Sequence, residues 1–439
     1  MAVVWQPIVG GVSDRTVTRW GRRRPFIFAG TIGDLLFLTG IALAGNYWWL
    51  VVFYFLLQFA SNTAQAPYQG LLPDVVPEAQ RGEASGYYGV ANLVGIATGT
   101  IGAGLLLSHF GRGAAIASIG LVLLTTMLAT VLVVPETQRG EASGYYGVAN
   151  LVGIAGGTVA AGLLLAHFGR EAAIFSIGAL LVATMLATVL LVPDRVRPVE
   201  GHFQDLREML RKTFGVPLRN VPFVWLMVSR LLIFMGFGGL QNYAFFYFDN
   251  VFFHHDRKAT AIAASTLLGI AIAVAALVSC PASWLSDRIG RRPLIIAGGI
   301  CGAAGSLVLV FSHYAWVPAA LVTPLAAALH VPELAAQATL AGLVIGVGLG
   351  VFFSVDWAFI QDVIPAREGG LYMGFSNIAT AGAGIMAVAF GGPLLDIFNR
   401  GPAILGLPGG FPVVFGIFVV WFVVGSLSIL KVPERRVVR

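Results

Sequence analysis

Apolar residues come in long runs along this chain, and polar residues in short interruptions between them. Runs of the roughly 17 to 25 residues that a bilayer-crossing helix needs lie near 26–44, 47–70, 84–107, 113–134, 142–165, 171–192, 222–248, 260–284, 293–312, 337–360, 371–393 and 411–430. Within the run 47–70, Gln58, Asn62, Gln65 and Gln69 follow one another at spacings of 4, 3 and 4. That spacing is one stripe of a helix. A polar stripe on such a helix faces protein or a watery cavity, because lipid offers its amides no partner.

The interruptions repeat. Residues 10–25 read GGVSDRTVTRWGRRRP, and residues 286–293 read SDRIGRRP. Asp74-Val75-Val76-Pro77 follows the first basic loop, and Asp362-Val363-Ile364-Pro365 follows the second. Two landmarks in one order, twice, imply two homologous halves. Thirteen residues precede Asp14, whereas a stretch long enough for two helices separates Val221 from Asp287. The first half is therefore expected to lack its first one to two helices. Residues 80–137 and 138–195 are near copies that share QRGEASGYYGVANLVGIA verbatim, a duplicated helical hairpin that preserves the topology downstream.

The expected architecture is an all-α polytopic membrane protein. Its parts are an N-terminal helical bundle (1–192, with the hairpin 80–137 duplicated as 138–195), a linker (193–221), a C-terminal bundle (222–431) and a tail (432–439). In the linker, HFQDLREMLRKTF (202–214) sets Phe203, Leu206, Leu210 and Phe214 opposite Arg207, Arg211 and Lys212. It reads as a helix lying on the membrane surface or as a solvated spacer. The proline-broken apolar connection 313–336 reads as re-entrant or interfacial.

Composition agrees. The chain is 57% hydrophobic and only 11% charged, against about 25% charged in soluble domains. Mean hydropathy is +0.83. The net charge of +6 does not imply a nucleic-acid partner, because most Lys and Arg fall in segments on the same side as Arg22. Arg112, Arg170, Arg257, Lys258 and Arg400 fall opposite, and Arg230 lies inside a helix. This bias expects an inner or plasma membrane location with both termini cytoplasmic. No cleavable leader pattern is visible at the start. Cys280 and Cys301 read as packing residues, and neither a metal nor a cofactor is expected.

Two six-helix halves, each with a basic loop after its second helix, resemble the major facilitator superfamily of secondary transporters. The family's loop pattern is matched by Gly10, Asp14, Arg15, Gly21, Arg22 and Arg23, and again by Asp287, Arg288, Gly290, Arg291 and Arg292, with Ser283 where a Gly is usual. QPIVGGVSDRTVTRWGRRRPFI (6–27) and LQFASNTAQAPYQGLLPD (57–74) are similar to the sucrose/proton symporter branch and its bacterial relatives. The resemblance implies a major facilitator fold of two pseudo-symmetric six-helix bundles. It also implies alternating access and a cytoplasmic latch at the two arginine loops. In one respect the sequence departs from that branch: Gln58 and Gln69 stand where plant sucrose carriers have an Asp and an Arg. An amide does not carry a proton as a carboxylate does.

The candidate chemistry is therefore polar residues inside apolar helices. Asp34 and Gln58 fall at similar depth in adjacent antiparallel helices. Asp34 is expected to bond Gln58 and supply the titratable group that position 58 lacks, or simply to tie the two helices together. Arg230 and Asp356 lie at equal depth, so an ion pair is expected, whether exchanged during transport or static. Asn62, Gln65, Tyr87, Asn92, Gln241, Asn242, Tyr243 and Trp357 offer the amides, hydroxyls and aromatic faces that suit a sugar. No nucleophile, metal or nucleotide constellation appears in the polar segments, so an enzyme is not expected. The expected function is secondary transport of a sugar, sucrose- or maltose-like, with a proton, by a monomer in the lipid bilayer. An efflux carrier for amphipathic small molecules, or a rearranged remnant acting as a membrane scaffold, are the alternatives.

Overall fold

The computed structural model describes residues 2–16, 18, 21–75, 85, 206–254, 256–365 and 368–433. Apart from Ser85, the duplicated hairpin, with Tyr87 and Asn92, lies outside the described residues. Among the described residues the regular elements are helices, and a lone antiparallel bridge pairs Ile404 with Leu407.

The first helices are α1 (Ala2–Arg15), α2 (Arg24–Leu43), α3 (Tyr47–Val75) and α4 (Leu206–Arg219). They continue with α5 (Val221–Phe248), extended by a π-helical turn Asp249–Phe253, α6 (Arg257–Ile289) and α7 (Arg291–Phe311). Next come α8 (Ala319–Leu329), α9 (Glu333–Thr339), α10 (Ala341–Val363), α11 (Gly369–Asn399) and α12 (Gly410–Ser428). Among the described residues, six helical segments are long and apolar enough to cross a membrane: Val221–Phe253, Ala259–Ile289, Arg291–Phe311, Glu333–Val363, Gly369–Asn399 and Gly410–Lys431. The runs 26–44 and 47–70 fall on α2 and α3, of 20 and 29 residues. At 14 residues and about 1.5 Å of rise per residue, α1 is too short to cross.

By its contacts the chain divides into two compact units. One is Met1–Val224 with Ala358–Ile378, and the other is Trp225–Trp357 with Ala379–Arg439. The stretch 358–378, part of the second half by sequence, thus packs with the first.

In the first unit α2 lies along α3, and Gly30 lets the backbones close: a Cβ there would sit 2.6 Å from the Ala64 nitrogen. Small residues at a membrane helix crossing serve this purpose. Tyr47, Trp48 and Trp49 open α3 exposed, as aromatic residues do at a membrane surface. The linker helix α4 lies against α1. Its Phe214 meets Phe375 at 6.2 Å, Thr213 is buried, and Lys212 pairs with Glu208 at 2.6 Å.

The second unit is built around aromatic rings. Phe422 of α12, fully buried, fits between Gly236 of α5 and Gly302 of α7, where a Cβ would come within 2.5 Å of the ring on either side. Tyr247 packs on Phe411 and Phe415 and bonds Ser312 and the Leu309 carbonyl at 2.7 Å each. The connection 313–336 contains the short apolar helix α8, and Gln337 ties it down. Gln337 accepts from the Trp316 and Val317 amides at 3.2 and 3.1 Å, and donates to the Ser312 and Tyr314 carbonyls at 3.0 and 2.7 Å.

Candidate functional site

Three groups of polar side chains sit where an apolar chain would not place them without reason: two arginine loops and the polar atoms inside the helices.

In the first loop, α1 ends at Arg15 and the chain turns through Gly21, whose φ of +101° favours glycine. Helix α2 then begins with Pro25 in its first turn, where the missing N–H costs nothing. Asp14 is wholly buried. It faces Arg23 at 3.1 Å and Arg22 at 3.7 Å, and accepts the Gly370 and Leu371 amides at 3.1 and 2.7 Å. Those amides open α11, so the carboxylate sits at the positive end of the helix dipole. Close approach makes this possible. A Cβ on Gly10 would lie 2.0 Å from the Gly370 oxygen, and the Arg23 guanidinium occupies the space that side chains at Gly70 and Gly370 would need. Arg15 bonds the Gly11 carbonyl at 3.1 Å and faces Glu368 at 3.9 Å. Burial pushes the Glu368 carboxyl above the ordinary glutamate value, Arg15 pulls it back, and Asp14 pushes it up further.

The second loop shares the turn, with Gly290 at φ +96°. Asp287, with 16% of its side chain exposed, pairs with Arg291 at 3.3 Å one turn on. Arg291 also reaches Ser286 at 3.1 Å, Arg288 lies 3.6 Å over the exposed Trp284 ring, and Arg292 is part-buried.

Inside the first unit, Asp34 does not meet Gln58. Its carboxylate accepts from Ser61 at 3.1 Å, one turn further along α3, and its other oxygen is buried without a partner among the described residues. The Gln58 backbone carbonyl accepts from Asn62 at 2.6 Å. Of the amide stripe, Asn62 and Gln69 are buried, Gln58 is part-buried and Gln65 is exposed. Gln6 of α1 donates to Asn62 at 2.6 Å and Gln65 at 2.9 Å, and Asn377 of α11 donates to Gln69 at 2.6 Å. Trp5 donates to Thr63 at 2.7 Å.

Inside the second unit, Arg230 and Asp356 form a fully buried ion pair. The guanidinium also donates to Thr380 of α11 at 3.0 and 3.3 Å and lies 5.2 and 5.3 Å from the rings of Phe234 and Trp357. One Asp356 oxygen has no partner among the described residues. Gln241 and Asn242 are exposed, Asn242 bonding the Gly238 carbonyl at 2.7 Å, whereas Tyr243 is buried and donates to the Val388 carbonyl at 3.3 Å. Among the described residues no cluster suits a metal ion.

Gln6, Ser61, Thr380 and Asn377 escape sequence reasoning. Each is a single small polar group with no periodic signal of its own, and Gln6 stands alone in an apolar opening segment.

The model of the Major Facilitator Superfamily matches residues 1–137 and 126–388. Sucrose transport protein SUC4 of Arabidopsis thaliana is 32% identical over 117 residues, which is 22% of this chain and 23% of that protein. Proton-associated sugar transporter A of Homo sapiens is 38% identical over 91 residues, covering 17% of this chain and 12% of that protein. The chain thus matches less than a quarter of either relative's length. Among solved structures, FucP in its outward conformation superposes with a TM-score of 0.51 at 13% identity, covering 96% of this chain and 86% of FucP. The proton:xylose symporter XylE superposes with a TM-score of 0.50 at 15% identity, covering 99% and 85%. Both are likenesses of fold.

Proposed function

Because the chain belongs to the Major Facilitator Superfamily, a family of membrane carriers and not of enzymes, we propose that it is a secondary transporter moving a sucrose- or maltose-like sugar together with a proton. The observation that carries this reading is the Arg230–Asp356 pair. Two opposite charges fully buried between apolar helices are costly to keep and more costly to separate. A carboxylate with one oxygen on a guanidinium and the other unpartnered is a group that gains from taking up a proton when its counter-ion is drawn elsewhere. Asp34, likewise bonded through one oxygen only, is the second candidate for the proton.

The sugar comes from the relatives named as sucrose and sugar transporters and from the chemistry available. Asn62, Gln65, Gln241, Asn242 and Trp357 are neutral donors, acceptors and a ring face, suited to hydroxyls and to the apolar side of a pyranose. Both termini and both arginine loops are assigned to the cytoplasmic side by charge bias, where Asp14 holds the N-terminal end of α11 as a latch.

Reconstituted full-length chain should accumulate labelled sucrose or maltose when the outside is made acidic, and a protonophore should abolish the accumulation. Asp356→Asn should leave only uptake that no longer responds to the gradient. Sugar uptake indifferent to the protonophore would remove the proton, and absence of sugar uptake would remove the substrate. If Asp34→Asn abolished the gradient response while Asp356→Asn kept it, the proton would belong to α2 instead.

A further inference from the structure

We infer that Thr380 of α11 is a positioning residue for the Arg230–Asp356 pair: its hydroxyl occupies the carboxylate-gripping edge of the guanidinium, keeps the pair one-pronged, and so leaves Asp356 able to take up a proton. This rests on the proposed proton-coupled transport and deepens it.

An arginine carries five N–H donors, and two of them, on Nε and Nη2, point the same way and form the fork that grips a carboxylate by both oxygens. Here that fork goes to a hydroxyl. Nη2 and Nε donate to Thr380 Oγ1 at 3.0 and 3.3 Å. Asp356 is left with Nη1, which it meets through Oδ2 alone. Its Oδ1 is buried without a partner among the described residues. A pair that served only to tie α5 to α10 would gain most from the two-pronged contact, and the guanidinium does not make it.

The hydroxyl is set in place by its helix. Beyond Thr380, α11 lies against α5, where Met235, Ala383 and Ala387 are buried together and a Cβ on Gly238 would come 3.5 Å from Gly384 Cα. The guanidinium is held from other sides as well. Its Cζ lies 5.2 Å from the Phe234 ring and 5.3 Å from the Trp357 ring. Phe234 is itself braced edge-on by Phe352 and Phe353 at 5.2 and 5.7 Å. Ring faces and a hydroxyl hold a cation whether or not Asp356 is charged. A proton arriving on Oδ1 therefore removes the counter-charge without stripping Arg230 of its remaining partners.

Other charges are remote. Helix α6 carries no Asp, Glu, His, Lys or Arg between Lys258 and Asp287, α7 none after Arg292, and α12 none at all. Within α5 the one charged residue is Arg230, α10 adds only Asp362 near its end, and the part of α11 in this unit has only Asp396, about 24 Å along the helix from Thr380. The remaining titratable groups on these helices are Tyr243 and Tyr247, more than three turns beyond Arg230, Cys280 of α6, and Cys301 of α7, which lies against Gly348, two turns before Asp356.

The test follows the proton on Asp356 directly, by infrared difference spectroscopy of the full-length chain in proteoliposomes as pH is lowered, reading the carboxyl C=O band that Asp356→Asn removes. Thr380→Val keeps the shape of the side chain and loses the hydroxyl, Thr380→Ala loses it without crowding, and Thr380→Ser keeps it. Without the hydroxyl the guanidinium can turn its fork onto Asp356 and engage both oxygens. In Thr380→Val and Thr380→Ala the band should then appear about one pH unit further to acid than in wild type, a tenfold change in proton affinity. Thr380→Ser should follow wild type. Gradient-driven uptake of labelled sucrose or maltose should move to acid by the same amount, while exchange of labelled for unlabelled sugar at equal pH should keep its rate and KM. A hydroxyl that only packed α11 on α5 would lower the melting temperature and leave the band where it was. A band at the wild-type pH in both hydroxyl-free variants, or one moved towards neutral pH, would overturn the inference and leave proton-coupled transport standing. A band that moves with Thr380 as expected, in a chain whose sugar uptake ignores the proton gradient, would keep the role of Thr380 and overturn the transport reading. No Asp356-dependent band over the range in which the chain stays folded would overturn both.

Discussion

The two arginine loops are copies in sequence and different objects in space. Both turn at a glycine with φ near +100° and both keep an aspartate before their arginines. Asp14 is buried, faces two guanidiniums and accepts the Gly370 and Leu371 amides in the first turn of α11, 356 and 357 residues away in sequence. Asp287 keeps part of its side chain exposed and pairs with Arg291 at the next helix start, four residues on. The same motif reaches a helix far along the chain in one place and pairs within its own loop in the other. What decides is the surroundings: Gly10, Gly70 and Gly370 leave room for the first aspartate and its arginine to sink between helices. A motif thus fixes a turn and a charge pattern, while its neighbours fix how much those charges matter.

Neutralising the aspartates should separate the loops most. Asp14→Asn leaves two buried guanidiniums facing an amide, and breaking a buried pair costs about 3–5 kcal/mol. The melting temperature in detergent and the uptake rate should both fall steeply. Asp287→Asn removes a carboxylate that keeps 16% of its side chain exposed, and both should fall less than in Asp14→Asn. Equal losses would mean that the two loops carry equal loads, and the contrast drawn from burial would be wrong.

Gly370→Ala probes the same difference without touching a charge. The added Cβ would fall 2.5 Å from Arg23 Nη1, 2.8 Å from the Gly10 oxygen and 2.9 Å from Asp14 Oδ1. The backbone cannot give way, and the guanidinium is pinned by its ion pair, so overpacking of this kind costs about 1–3 kcal/mol. Gly382 of the same helix, where an added Cβ meets nothing within 4 Å, is the control. An unchanged melting temperature in Gly370→Ala would show that α11 can move away from Asp14 freely.

Where the copies agree, they should respond alike. Gly21→Ala and Gly290→Ala each force a side chain into a left-handed backbone, at roughly 1–2 kcal/mol, and the two melting temperatures should drop by similar amounts. A larger drop at position 21 would mean that the turn and the buried junction are coupled.

How much of this was visible in the sequence follows from how far each residue's constraint reaches. The membrane helices were legible because lipid forces long apolar runs, and the basic loops because charge has few places to go between them. Arg230 and Asp356 could be matched because an unpaired charge at depth is so unfavourable that equal depth nominates the partner. Asp34 shows the limit. Depth identified the right stretch of α3, but the partner is Ser61 and not Gln58, because depth fixes the turn of a helix and not its azimuth. The docking of Asp14 on α11 was out of reach, since no spacing connects residues 356 positions apart. Gln6 and Thr380 were out of reach too, because a lone amide or hydroxyl has no pattern until the fold supplies its partner.

The smallest effect expected is one of pH, and it belongs to the first loop. Glu368 sits between α10 and α11, against Arg15 at 3.9 Å, with 21% of its side chain exposed. Burial raises its carboxyl above the ordinary glutamate value by more than Arg15 lowers it, and Asp14 adds to the rise. A carboxyl raised in the folded state holds its proton longer there than in the unfolded chain. Its favourable contribution is therefore complete below the ordinary glutamate pKa and is lost as pH climbs through the raised one. Glu368→Gln is neutral throughout and should match wild type at the acid end of that window. Above it the variant should be slightly more stable, by up to about 1 kcal/mol for a partly exposed group, when melting temperatures are followed against pH. A variant that became less stable than wild type with rising pH would reverse the sign, and would mean that the ion pair with Arg15 outweighs the burial that opposes it. The comparison of the loops would then shift, since the junction at Asp14 would be strengthened by a second acid instead of strained by it.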